Sequence, residues 1–112
     1  MVRSRRQRLG EQPREKLRRF GPVRLSTAEL LSIILRAGYP GEDAVALASR
    51  LLVDHEGLPG LAHCAGTTLA EERGMGEAKA AAVVAALELG RRLLLDPGQE
   101  RVQIRSPTHQ AP

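Results

Sequence analysis

The stretch Leu69-Ala70-Glu71-Glu72-Arg73-Gly74-Met75-Gly76-Glu77-Ala78-Lys79-Ala80 decides how this chain folds. Two glycines flank one apolar residue directly before an Ala-rich helical run. Glycine reaches positive φ without steric cost and leaves its backbone uncovered. Met75 can then anchor the turn by pointing inward. The first amides of the following helix lack intrahelical partners, and the helix dipole adds partial positive charge there. Such a terminus suits a phosphate oxygen. Lys79 falls in that first turn and Arg73 precedes it, so the candidate phosphate-binding residues are Arg73, Gly74, Met75, Gly76, Ala78 and Lys79.

Outward from this turn the sequence predicts helices on both sides. Glu77 to about Leu95 is one long helix, closed by Asp96-Pro97-Gly98. On the N-terminal side, Thr67 or Thr68 caps a short helix through Glu72, so the two helices form a hairpin. Alanines at 78, 80, 81, 82, 85 and 86 let a neighbouring helix approach closely, while Val83, Val84, Leu87 and Leu89 supply an apolar stripe. Further upstream, Ser26-Thr27-Ala28-Glu29 is a capping box opening a helix that Gly38 stops. Tyr39-Pro40-Gly41 is a turn. Asp43 caps a third helix with Ala44, Leu47, Ala48, Leu51 and Leu52 on one face. His55–Gly60 breaks it, with a single helical turn over Leu58–Ala62. Pro13 and Arg14–Phe20 form a short basic helix ending at Gly21-Pro22. No strand pair and no repeat is visible. The fold class is all-α, a small helical bundle.

Composition narrows the function. The 112 residues carry one Phe, one Tyr and no Trp, so aliphatic side chains must build the core and no aromatic base-stacking platform exists. One Cys rules out an intrachain disulfide and a multi-Cys zinc site. His55, His63 and His109 are the candidate ligands or bases, but His55 and His63-Cys64 are not at zinc-finger spacing, no second Cys exists, and no paired carboxylates lie near by in sequence. The expectation is therefore no catalytic residue, no metal and no cofactor. Neither a membrane-length apolar run nor a secretory signal is present, which predicts a cytoplasmic protein. The net charge of +4 hides an asymmetry. Residues 1–24 hold nine basic and two acidic residues, whereas 25–112 hold eight basic and eleven acidic ones. The basic arm favours phosphate backbones in a salt-dependent way.

Several blocks carry a family resemblance. Arg14-Glu15-Lys16-Leu17, Phe20-Gly21-Pro22, Leu25-Ser26-Thr27-Ala28-Glu29-Leu30-Leu31 and Ile34-Leu35-Arg36-Ala37-Gly38 resemble the opening of bacterial RadC-family proteins. Gly74 to Ala80 and Ala86-Leu87-Glu88-Leu89-Gly90-Arg91-Arg92 resemble the end of the same N-terminal domain. The resemblance spans about residues 12–105. It implies a RuvA-C-terminal-like helical domain with a helix-hairpin-helix, whose hairpin backbone binds DNA phosphates without reading bases, under a DNA-repair label. Domain boundaries follow: a disordered basic arm over 1–10, the helix-hairpin-helix domain over 11–98, and over 99–112 a linker or the start of a JAB/MPN metalloprotease-like domain. That second domain carries the family's zinc-binding His-x-His and Asp set, which His109 alone cannot supply, so the expectation is a chain that is not an enzyme. Glu72 departs from the family pattern, which puts an aliphatic residue under the hairpin. Glu71, Glu72 and Glu77 suit a second reading, a protein-interaction module of the ubiquitin-associated type. A third is a domain that only positions a catalytic partner domain.

Overall fold

The computed structural model describes residues 12–95. The expected arm over 1–10 and the tail from 99 lie outside the described residues, as does the helix stop at Asp96-Pro97-Gly98. Among the described residues there are six α-helices and no strands. Residues 12–20 form α1, with Pro13 buried in its first turn. A 3₁₀ turn, Pro22–Arg24, leads into α2 (Thr27–Leu35). Then come α3 (Ala44–Asp54), α4 (Leu58–His63), α5 (Gly66–Ala70) and α6 (Gly76–Leu95).

Local side-chain chemistry sets the starts of α2 and α3. Ser26 Oγ accepts from the Glu29 amide at 3.1 Å, and Glu29 Oε1 accepts from the Ser26 amide at 2.9 Å. This reciprocal capping satisfies two amides the helix itself cannot. Lys16 donates to both Glu29 oxygens, at 2.9 and 3.1 Å, and so ties α1 to α2. The Ser26 amide, followed by Lys16, holds the Glu29 carboxyl below its ordinary range. Asp43 Oδ1 accepts from the Ala46 amide at 2.9 Å and caps α3.

Three sequence expectations need correction. First, α2 stops at Leu35, before Gly38. Arg36 takes the left-handed conformation at φ 74°, and its amide donates to the Ser32 carbonyl. Gly38 serves a different need, because a Cβ there would lie 2.3 Å from the Glu42 carbonyl oxygen. Second, Ala65 precedes α5 and supplies no side-chain cap; Thr67 and Thr68 lie inside the helix, exposed. A five-residue helix cannot sustain itself. Complete burial of Leu69 holds this one. Third, the alanines of α6 do not form a close-packed stripe. Ala80 is buried, Ala82 and Ala86 are half-buried, and Ala78, Ala81 and Ala85 face solvent. In the expected apolar stripe Val83 is buried and Leu87 is partly buried, but Val84 and Leu89 are exposed.

The core has the aliphatic composition the sequence demands. Leu31 and Leu35 of α2 meet Leu47, Ala48 and Leu51 of α3, Leu61 of α4, Leu69 of α5, and Ala80 and Val83 of α6. Met75 completes this cluster from the turn before α6. Helix α2 packs on α3, α5 packs on α6, and α2 also meets α6. Between α2 and α3 the chain makes a tight reversal at Pro40-Gly41, in which Tyr39 and Glu42 exchange two backbone bonds of 2.7 Å. None of the described helices is long and apolar enough to cross a membrane.

Candidate nucleic-acid interface

The hairpin consists of α5, residues 71–75 and α6. Gly74 and Gly76 stand at φ 84° and 86°, a backbone conformation that costs other L-residues about 1–2 kcal/mol. Between them Met75 turns inward and is 8% exposed, as expected of a plug. Its amide donates to the Glu72 carbonyl at 3.0 Å and closes the turn. Gly76, Glu77 and Ala78 remain exposed at the start of α6, where helix amides have no intrahelical acceptor. Gly74 also allows a close approach: a Cβ there would come within 3.2 Å of Tyr39 Cβ and 3.4 Å of the Leu47 methyls.

Three side chains pin this turn, one from α6 and two from the C-terminal end of α3. Lys79 Nζ donates to the Gly74 carbonyl at 3.0 Å and to the Gly38 carbonyl at 3.2 Å. It thereby bridges the hairpin to the α2–α3 loop. Arg50 of α3 grips Glu42 through Nε at 2.8 Å and Nη2 at 3.0 Å, and Nη2 also donates to the Arg73 carbonyl at 2.7 Å. The Arg50 guanidinium holds the Glu42 carboxyl below its ordinary range, and Glu42 in turn raises the Arg50 pKa. Thirdly, Glu72 Oε2 lies 2.6 Å from His55 Nε2. An ionised carboxylate only accepts, so the imidazole N–H donates. Glu72 therefore has a partner at the end of α3 instead of lying unpaired beneath the hairpin.

The six sequence-expected site residues are thus one contiguous turn, but their roles differ. Gly74, Gly76 and Ala78 shape and expose backbone. Met75 serves the core. Arg73 has an exposed side chain and gives its carbonyl to Arg50. Two of the three Lys79 donors are directed at protein carbonyls, leaving one for anything else. Sequence reasoning missed Arg50 and His55 as supports of the turn. Nothing local marks them, because their partners lie 23 and 17 residues away. The electrostatics of the lip are mixed: Glu71 and Glu77 are exposed beside Arg73. A groove of about 710 Å³ runs between α5 and α6, lined by Gly66, Ala70, Glu71, Gly76, Glu77 and Ala80 among others.

Helix α1 and the 3₁₀ turn after it carry a second positive feature. Arg14, Arg18 and Arg19 of α1 and Arg24 of the turn are exposed. The Arg19 and Arg24 guanidinium carbons lie 5.6 and 5.2 Å from the Phe20 ring centre, within cation–π range.

Comparison with known proteins gives the family. The family described as UPF0758 N-terminal matches residues 6–81. A UPF0758 protein of Roseiflexus castenholzii is 54% identical over 101 residues, which is 90% of this chain and 43% of that protein. One from Chloroflexus aurantiacus is 48% identical over 101 residues, covering 90% and 44%. One from Caldanaerobacter subterraneus is 43% identical over 97 residues, covering 87% and 42%. The chain spans less than half the length of these curated relatives. No solved structure matches. A family match over most of the chain, together with relatives this similar, means that the chain belongs to the UPF0758 family, the RadC family its motifs resemble.

Proposed function

We propose that this domain binds the sugar-phosphate backbone of DNA without sequence preference, through the exposed start of α6. One observation carries the reading: two positive-φ glycines bracket a buried methionine, and Gly76, Glu77 and Ala78 stay open in the first turn of α6. The ties from Lys79, Arg50 and His55 favour a turn that is already ordered before a phosphate arrives, which lowers the cost of binding. Exposed arginines on α1 add sequence-independent attraction and a salt dependence. DNA repair or recombination is the process this activity fits, in the cytoplasm. The domain acts here as a binding module and not as a catalyst.

The test is binding of labelled single-stranded and duplex DNA by the full chain across a salt series, beside Ala78→Glu and a form lacking residues 1–10. Ala78 is exposed, so a glutamate there places charge at the proposed phosphate position without touching the core. Binding should weaken by about tenfold, the scale of one lost backbone contact. Unchanged affinity in Ala78→Glu would remove the hairpin from the interface. Loss of all binding with the arm would reduce the activity to a polyelectrolyte effect.

A second reading rests on the small-residue groove between α5 and α6 and its acidic lip, Glu71 and Glu77. These suit a protein partner with a basic edge. Absence of DNA binding by every form, at low salt, would favour it.

A further inference from the structure

His55, Cys64 and Glu72 are scattered in the sequence and meet in the fold. Their nitrogen, sulfur and oxygen donor atoms all lie within 4.8 Å of one another. His55 is the C-cap residue of α3 and Cys64 that of α4, while Glu72 follows α5 in the hairpin turn. Helix ends therefore fix the backbone of His55 and Cys64, and the turn's own bonds, Glu72 amide to Leu69 carbonyl and Met75 amide to Glu72 carbonyl, fix that of Glu72. The side chains of His55 and Glu72 are 18% and 21% exposed, and Cys64 is half-buried. The thiol has only a long 3.6 Å contact to the adjacent Ala65 carbonyl.

We propose that these three residues form a binding site for one zinc-type divalent cation. Imidazole nitrogen, thiolate and carboxylate together are a borderline-soft donor set that suits zinc better than magnesium or calcium, which prefer all-oxygen shells. In a tetrahedral zinc site, nitrogen and oxygen ligands about 2.0–2.1 Å from the ion stand about 3.3 Å apart. His55 Nε2 and Glu72 Oε2 are now 2.6 Å apart, joined by a hydrogen bond. The two groups must open by about 0.7 Å for the ion to take the proton's place. That is within the reach of side-chain torsions. The imidazole proton moves to Nδ1, the thiol proton leaves to solvent, and a water fills the fourth position. Cys64 also lines a groove of about 440 Å³ between α4 and α6, which gives an ion a solvent-connected approach to the sulfur. Arg50 feels the Glu72 charge, but its guanidinium already grips Glu42. A bound ion would join the ends of α3 and α4 to the hairpin turn, and so stiffen the element proposed above to contact phosphate. The site itself does not depend on that activity.

The experiment is titration of the untagged full chain with Co²⁺, read by absorption, followed by displacement with Zn²⁺. One ion per chain and a thiolate-to-cobalt charge-transfer band are expected. The band should vanish in Cys64→Ser. His55→Gln and Glu72→Gln should each weaken binding by more than the tenfold to hundredfold typical of outer-shell partners. His63→Gln should bind like the parent chain. Helical circular dichroism checks each fold, and Glu72→Gln, which keeps a hydrogen-bond acceptor for the imidazole, tests the site even if His55→Gln unfolds. No charge-transfer band at saturating cobalt would overturn the proposal. So would a band that survives Glu72→Gln with unchanged affinity, since the thiol would then be acting without the cluster.

Discussion

Replacing Lys79 by Met tests whether the hairpin is held by a cation–carbonyl bridge. Met retains most of the aliphatic stem, so packing is conserved and the polar contribution is isolated. The ammonium makes two bonds, 3.0 Å to the Gly74 carbonyl and 3.2 Å to the Gly38 carbonyl. A hydrogen bond involving a charged group contributes roughly 1.5–3 kcal/mol when well buried. Lys79 is only half-buried, so water will partly replace it at both carbonyls. Freeing the side chain also returns rotamer entropy. The expected net loss is about 1.5 kcal/mol. For a domain of this size that corresponds to a fall of roughly 6–12 °C in Tm. Urea and thermal unfolding followed by circular dichroism give both quantities. Lys16→Met is the internal control. Lys16 also makes two bonds, but to the single carboxylate of Glu29 in a partly exposed ion pair, with 38% and 20% side-chain exposure, and ion pairs near the surface contribute about 0–1 kcal/mol. Equal losses in the two variants, or no loss in Lys79→Met, would refute the bridge as a support of the hairpin.

Two further outcomes follow from local geometry. In Gly60→Ala the new Cβ would sit 1.5 Å from the His55 carbonyl oxygen, which forces α4 away from the end of α3; the cost should be about 3 kcal/mol or more. Unfolding within about 0.5 kcal/mol of the parent would show that α4 does not press on that carbonyl. Glu88 is held at about 2, below the ordinary 4.5, chiefly by Arg91 and then Arg92 at 2.9–3.0 Å. A depressed folded pKa stabilises above the ordinary carboxylate range, and that contribution fades as pH falls from about 4.5 toward about 2. An NMR titration should place the Glu88 midpoint near 2 and return it toward 4.5 when both arginines become alanine. A midpoint near 4.5 in the parent chain would mean that the exposed fork does not persist in solution.

Most of the helix order was legible from the sequence, because the signals are local. Ser26 with Glu29, and Asp43 with the Ala46 amide, each act over three residues, so a reader of the chain sees both partners at once. The Gly-Met-Gly turn is legible for the same reason. Errors arose where local propensity met tertiary packing. Gly38 looked like a helix stop, yet the close approach of Glu42 claims it and Arg36 takes the left-handed position instead. Thr67 and Thr68 looked like caps, yet burying Leu69 sets where α5 lies. The alanines of α6 looked like a packing face, but in its first half only the line through Ala80 and Val83 is covered fully.

By itself, then, the sequence determined an all-α chain with an aliphatic core, the helix starts at Ser26 and Asp43, and a glycine-bracketed turn before a long helix. Each follows from backbone and side-chain chemistry acting within about one helical turn. The tertiary structure alone decided what that turn rests on. Lys79 reaches a carbonyl 41 residues away, Arg50 one 23 away, and His55 a carboxylate 17 away. No residue type announces such partners, because the choice among distant acceptors is made only when helix packing brings them within 3 Å or so of a donor. The same packing turned an isolated cysteine, a loop histidine and an out-of-pattern glutamate into one cluster.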